Sequence, residues 1–239
     1  MRFPSPLIEA RLVQRYKRFL ADVKLATGDE FTVHCPNPGA MLGLKDVGNK
    51  VWISDSGNPK RKLRHTLELM EVDCLSSSGK VIVGINTNLP NKLAEEAILA
   101  ERIETLKGYS SLRREVKYGE NSRVDILLEE GGRRPCYVEI KNVHFVREPG
   151  KHEFPDCKTA RGAKHLRELT AMVEAGARAV MLYVIQRKDG DHLSFAEDLD
   201  PDYAEAFKLA TKAGVEAIAI RCDISPQEIT ARDIIPIVA

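Results

Sequence analysis

Two short runs hold the residue types best suited to chemistry: Ser122-Arg123-Val124-Asp125-Ile126-Leu127-Leu128 and Tyr137-Val138-Glu139-Ile140-Lys141. Side chains alternate faces along a strand, so Glu139 and Lys141 point to the same side. Asp125 stands near the start of its run. If the two runs pair as a hairpin, it approaches the Glu139–Lys141 end. Two carboxylates so placed can share a Mg²⁺ or Mn²⁺ ion, which prefers oxygen ligands and keeps several waters. A water of lowered pKa could then attack a phosphodiester. Lys141 could orient that water or offset charge in the transition state. A further carboxylate would come from the preceding helical stretch, with Glu96 the first candidate and Glu101 the second. An acid two residues before a lysine is common on any exposed strand, where the pair contributes little. Here both runs are strongly apolar around their charges, and a charge within a buried strand is costly unless it is paired or binds metal.

Further on comes Arg161-Gly162-Ala163-Lys164-His165-Leu166-Arg167-Glu168-Leu169. On a helix Arg161, Lys164, His165 and Glu168 share one face, while Leu166, Leu169 and Val173 mark another. The polar stripe could reach a scissile phosphate. Two basic clusters lie nearer the start: Arg11, Arg15, Lys17 and Arg18, then Lys60-Arg61-Lys62 with Arg64. Such clusters can neutralise phosphates and release counterions, which gives sequence-independent, salt-sensitive binding.

The elements that must position these residues divide the chain near residue 85. Residues 1–85 hold 13 Lys/Arg and 9 Asp/Glu, a net +4, whereas residues 86–239 carry a net −3. The first part reads as short strands near Leu7–Phe19, Phe31–Cys35, Lys50–Ser54, Thr66–Asp73 and Lys80–Ile85, separated by Gly, Pro, Asn and Ser turns. About five strands without a long helix predict an OB-like barrel, suited to a basic oligonucleotide-binding face. The second part reads as a helix over Asn91–Leu106 and strands over Leu112–Tyr118, Val124–Leu128 and Cys136–Val143. A helix over Thr159–Glu174, a strand over Ala179–Ile185, a helix over Tyr203–Ala213 and a strand over Val215–Arg221 follow. That alternation predicts an α/β domain with a mixed central sheet, so the chain as a whole is α+β. Residues 147–157 read as a long loop, a form often tied to function.

Composition narrows the classes. The 239 residues are 43% hydrophobic with a formal net charge of +1, which excludes a histone-like polycation and an acidic disordered chain. No apolar run approaches the ~18 residues that span a bilayer, and the start has no apolar signal segment, so the expectation is a soluble cytoplasmic protein without a membrane partner. Five scattered cysteines make a poor disulfide framework, and no pair has zinc-knuckle spacing. Nothing in the sequence sets the oligomeric state.

The order of a Glu-rich helix, Asp125, then Glu139-x-Lys141, then an α/β pattern is the one used by the PD-(D/E)xK nuclease superfamily. Over nearly its whole length the chain also resembles the sugar fermentation stimulation protein A family. The resemblance rests on Gln14 through Val23, His34-Cys35-Pro36-Asn37, Gly39-Ala40-Met41, Lys60-Arg61-Lys62 and Glu96 through Leu99. It rests also on Gly108 through Leu112, Glu115 through Gly119, Phe154-Pro155-Asp156 and Arg161 through Leu169. It implies an OB-like domain joined to a nuclease-like one, DNA binding without marked sequence preference, and a link to the regulation of sugar (maltose) metabolism. Carried over residue by residue, it points to Asp125, Glu139 and Lys141, with Glu96 beside them. The chain departs from the family pattern at Pro38, where Thr is usual, and at Ala160, where Glu often precedes Arg-Gly.

Two functions follow from different classes. One is an enzyme that cuts DNA or RNA, with Asp125 and Glu139 holding the metal. The other is a catalytically inactive DNA-binding regulator that keeps the nuclease-like fold. In both, Arg15, Lys17, Arg18, Lys60, Arg61, Lys62, Arg161, Lys164 and His165 are the expected nucleic-acid contacts.

Overall fold

In the first third, alternating apolar residues close a barrel. The computed structural model describes residues 1–119 and 122–238. Strands β1 (Ile8–Tyr16), β2 (Leu20–Lys24), β3 (Glu30–His34), β4 (Lys50–Asp55) and β5 (His65–Asp73) run in the order β3-β2-β1-β4-β5. A parallel bridge between His34 and Thr66 joins β3 to β5 and completes the circuit. Strand β6 (Lys80–Gly84) pairs antiparallel with β5. The interior is filled by Leu12, Val23, Val33, Ile53, Leu67, Met70 and Val83. The strand predicted over residues 7–19 ends at Tyr16, and β2, which the sequence does not announce, follows the turn. Lys17 and Arg18 take φ of 46° and 62°, and Tyr16 pairs with Leu20. Lys17, Arg18 and Phe19 make a three-residue hairpin turn, and its two left-handed positions are ones that Gly or Asn usually fills. Two basic residues there hide the turn from a sequence reading.

The α/β half contains a six-stranded mixed sheet. Its strands are β7 (Ser111–Tyr118), β8 (Ser122–Glu129), β9 (Cys136–Val143), β12 (Arg178–Ile185), β14 (Glu216–Ile224) and β15 (Ile229–Ile235). Their order is β15-β14-β12-β9-β8-β7, with β9, β12 and β14 mutually parallel. Helix α1 (Pro90–Leu99) covers one face through Leu93, Ala94 and Ala97. Helices α2 (Ala160–Glu174) and α3 (Pro201–Lys212) cover the other through Leu166, Leu169, Tyr203 and Phe207. From Ala179 onward β12 is buried and apolar on both faces apart from the Tyr183 hydroxyl, as suits a central parallel strand.

Three expectations change. The first helix stops at Leu99 instead of Leu106, because Glu101 turns left-handed at φ 52° and the Arg102 amide returns to the Ala97 carbonyl. That is a glycine-type helix stop formed without glycine. The expected loop over residues 147–157 contains a hairpin of β10 (Phe145–Glu148) and β11 (Gly150–Phe154). Strand β11 also pairs in parallel with β13 (Gly190–Phe195), a strand the sequence did not announce, and β15 was equally silent.

The two halves share a core. Trp52 and Leu69 from the barrel join the cluster that contains Leu93, Ile140 and Val184. Backbone links cross the boundary from Gly84 N to Gln186 O (2.8 Å) and from Thr87 N to Pro36 O (3.1 Å). No helix among the described residues is long and apolar enough to cross a membrane.

Candidate functional site

The sheet itself brings the three central residues together. Strands β8 and β9 are antiparallel, with Ile126 opposite Val138. That register places Asp125 beside Glu139, and Asp125 Oδ2 accepts the Ile140 amide at 2.7 Å. Its Oδ1 accepts from Asn91 Nδ2 of α1 at 2.8 Å. Glu139 is 2% exposed, and its Oε1 accepts from Lys141 Nζ at 2.7 Å. Its Oε2 is buried without a hydrogen-bond partner.

Helix α2 lies across this pair. Thr159 caps it by accepting the Gly162 amide at 3.1 Å, and its first turns face the sheet. His165 Nδ1 donates to Glu139 Oε1 and lies 3.2 Å from Lys141 Nζ. Arg161 Nε donates to His165 Nε2 at 3.3 Å, which leaves the imidazole proton on Nδ1. One turn later Glu168 accepts from Ser122 Oγ at 2.7 Å and pairs with Lys164 at 3.5 Å. The predicted stripe thus divides by burial: His165 and Glu168 face inward while Arg161 and Lys164 are exposed.

The electrostatics follow from burial. Desolvation pushes the Asp125 carboxyl up, and the neighbouring Glu139 charge pushes it further. Burial alone would raise Glu139, but hydrogen bonds from His165 and Lys141 outweigh it and hold the group below the usual carboxylate range. Tyr118 ends β7 with its hydroxyl buried and unpartnered. Burial, then the charges of Glu139, Glu168 and Asp125, push its phenol well above the ordinary tyrosine value, so it remains a donor. A concavity of about 340 Å³ lined by Lys117, Tyr118, Gly119, Ser122 and Arg123 opens beside this cluster.

The remaining sequence candidates are dispersed. Glu96 carries its charge elsewhere: its Oε2 meets the Met1 ammonium at 2.6 Å, and α1 touches Asp125 through Asn91 instead. Glu101 lies beyond the end of α1 at the left-handed stop. Arg15 is committed internally, its Nη2 donating to the carbonyls of Arg18, Asn37 and Gly39 at 2.8–3.0 Å. Lys17 and Arg18 are exposed at the β1–β2 turn, and Lys60, Arg61 and Lys62 are exposed on the β4–β5 loop. Arg61 lies 3.4 Å from His34 at the end of β3, so that loop and the strand end beside the β1–β2 turn meet at one end of the barrel. Sequence reasoning missed Asn91, Tyr118 and Ser122. The last two face each other across the β7–β8 hairpin, a pairing visible only once the register is known.

A donor set of two adjacent carboxylates, one with an unpartnered buried oxygen, fits a hard divalent cation. Among the described residues, however, no three His, Cys, Asp or Glu side chains form a ready metal cage. Any such ion would keep water or substrate oxygens among its ligands, as Mg²⁺ commonly does.

Fold and site together define a class: an OB-like barrel joined to an α/β domain that buries an Asp, Glu and Lys cluster at adjacent strands. The chain belongs to the sugar fermentation stimulation protein family. Residues 13–85 match the family's N-terminal OB domain, and residues 88–228 match the domain described as the sugar fermentation stimulation protein RE domain. It is 56% identical to the sugar fermentation stimulation protein homolog of Maricaulis maris, over 95% of this chain and 94% of that one. The Brucella ovis homolog is 54% identical, over 99% and 97%. Among solved structures it is similar to Pyrococcus furiosus SfsA in complex with Ca²⁺, with a TM-score of 0.87, 26% identity, and coverage of 100% of this chain and 98% of that one.

Proposed function

We propose that this protein binds nucleic acid through its barrel and hydrolyses phosphodiester bonds with a divalent cation held by Asp125 and Glu139. The observation that carries the reading is the buried pairing of these two acids on adjacent strands, with Lys141 and His165 fixed on one oxygen of Glu139 and the other oxygen unpartnered. Burying two like charges side by side is costly, and a cation would offset that cost. The Ca²⁺ in the Pyrococcus furiosus relative supports the reading, since Ca²⁺ and Mg²⁺ both select oxygen ligands.

In this mechanism the bound cation would supply Lewis acidity and a water of lowered pKa. The chain's own residues do the rest. Lys141 places an ammonium beside the acids, where it offsets the negative charge of a phosphate in the transition state. His165, with its proton on Nδ1, keeps Glu139 in one orientation. Arg161 and Lys164, exposed on the same helix, hold the flanking phosphates. The exposed cations of the β1–β2 turn and the β4–β5 loop hold the backbone further away. The name shared by the relatives fits a regulatory role in sugar metabolism for such a nucleic-acid-binding protein.

The test is a cleavage assay over single-stranded, duplex and branched DNA and RNA with Mg²⁺ or Mn²⁺. The wild type cuts at least one of these, and Glu139→Ala and Lys141→Ala abolish cutting. Cutting that persists in both variants refutes the site. A second reading, a DNA-binding regulator without activity, is favoured by the small number of ready metal ligands, and it predicts binding without cleavage under every condition.

A further inference from the structure

Between the barrel and the α/β domain lies a second cleft, lined by both polar and apolar groups, that the acid cluster does not use. Its volume is about 550 Å³. The barrel contributes Arg18 and the Asn37-Pro38-Gly39 turn, and the opposite wall carries His144, Phe154, Pro155, Asp156, Lys158 and Thr159. Asp156 ties the walls together. Its Oδ2 accepts the Met41 amide at 2.8 Å, and Gly39 packs so closely that a Cβ there would stand 2.7 Å from the carboxylate. The charge of Arg18 reaches across as far as Cys157.

One group in this cleft is unexplained by the fold. His144 is 5% exposed, and its Nδ1 accepts from Asn142 Nδ2 at 2.8 Å, so the ring proton sits on Nε2. That N–H is buried and has no hydrogen-bond partner. The Asp156 carboxylate stands at ion-pair distance, with its Oδ2 3.6 Å away, which is too far for a hydrogen bond. Buried donors are rarely left unpaired without a role. His144 lies just past the carboxyl end of β9, one of three parallel strands, and ligands of open α/β sheets bind at such ends.

We infer that this cleft holds one nucleotide of a single-stranded segment, next to the strand presented to Glu139 and Lys141. This rests on the nucleic-acid reading above and adds the substrate's form and its path. The volume lies within the range of pockets that enclose a small organic unit, which excludes a duplex from the cleft. Arg18 and Lys158, both exposed at the rim, take the phosphate. Pro38 and Phe154 offer apolar surface to the base, as single-strand sites do. The His144 Nε2–H and the Asp156 carboxylate supply a donor and an acceptor for the base edge. The cleft and the acid cluster occupy the same two elements: Asn142 follows Lys141 on β9, and Thr159 opens the helix that carries His165. Asn142 stands three positions after Glu139 on β9, a span of roughly 10 Å.

The test measures binding without divalent cations, so that it does not depend on the acid cluster. Fluorescence anisotropy compares a labelled single strand with a duplex of equal length, for the wild type, the exposed double variant Arg18→Glu/Lys158→Glu, and His144→Ala. The double variant weakens single-strand binding at least tenfold and duplex binding, which Arg18 also serves from the β1–β2 turn, at least threefold less than that, whereas an equal loss on both would overturn the cleft assignment. His144→Ala weakens single-strand binding in proportion if its thermal unfolding matches the wild type. Because both rim residues are exposed, the double variant remains decisive even if His144→Ala misfolds. Unchanged single-strand affinity in a folded double variant overturns the cleft assignment, and duplex binding and cleavage then keep the broader reading intact. No binding of either nucleic acid overturns both. A nucleoside monophosphate should compete only at far higher concentration than the strand. Equal potency would overturn the strand as occupant.

Discussion

At the scale of single residues, the acid cluster trades stability for chemistry. Asp125 loses its proton against burial and the Glu139 charge, so its ionisation is unfavourable in the folded chain. A cation that binds only the folded protein should therefore raise the melting temperature, by the equivalent of about 2.7 kcal/mol at a hundred times its Kd. Differential scanning fluorimetry with Mg²⁺, Mn²⁺ or Ca²⁺ measures this, and Glu139→Gln should remove the shift. A shift of equal size in Glu139→Gln would place the ion elsewhere. Arg15 makes the opposite kind of prediction. Its guanidinium serves three carbonyls of the β1–β2 turn and the Asn37–Gly39 segment. Arg15→Ala should cost about 2 kcal/mol of stability by leaving these acceptors unmet. Denaturant unfolding tests that; an unaltered midpoint would return Arg15 to the surface cations.

At the scale of elements, the β10–β11 hairpin buries His152 with neither ring nitrogen hydrogen-bonded. Burial, then the nearby Arg187 charge, lowers its pKa from 6.5 to about 4. The folded state thus resists protonation that the unfolded state accepts. Stability is fully present above about pH 6.5 and is lost as pH falls towards 4, by about 3 kcal/mol at most. His152→Leu should flatten that decline, as urea midpoints across the window would show. An equally steep decline in the variant would assign acid sensitivity to other groups. The β4–β5 loop has a separate role. Replacing Lys60, Arg61 and Lys62 with Ala should leave stability within ~0.5 kcal/mol, as surface changes usually do, while flattening the salt dependence of nucleic-acid binding. An unchanged salt slope would remove this loop from the interface.

At the scale of the whole molecule, the barrel and the α/β domain are joined by a common core. Trp52 and Leu69 belong to the cluster built on α1 and the central sheet, and they are not part of the barrel's own interior. The two parts should therefore unfold in one cooperative calorimetric transition. Trp52→Ala should destabilise the chain by about 3–5 kcal/mol through the cavity it leaves. Two resolved transitions in the wild type would show that the shared core is too weak to couple them. The same junction shapes the interdomain cleft, so a hinge there would alter nucleic-acid affinity as well as stability.

Periodicity and turn residues were enough to read a strand-rich first part, an α/β second part and the pairing of Asp125 with Glu139 and Lys141. These are local signals, with a period of two along strands and 3.6 along helices, and they survive without tertiary context. The helix stripe with His165 and Glu168 was legible for the same reason. Tertiary structure alone decided the rest. Glu96 and Arg15 carry the right charges, but chain packing commits one to the Met1 ammonium and the other to backbone carbonyls. Asn91, Tyr118 and Ser122 have no distinguishing local pattern and reach the acids only through helix docking and hairpin register. The cleft around His144 is assembled from segments more than 100 residues apart, and no local rule reports which distant groups will share a wall.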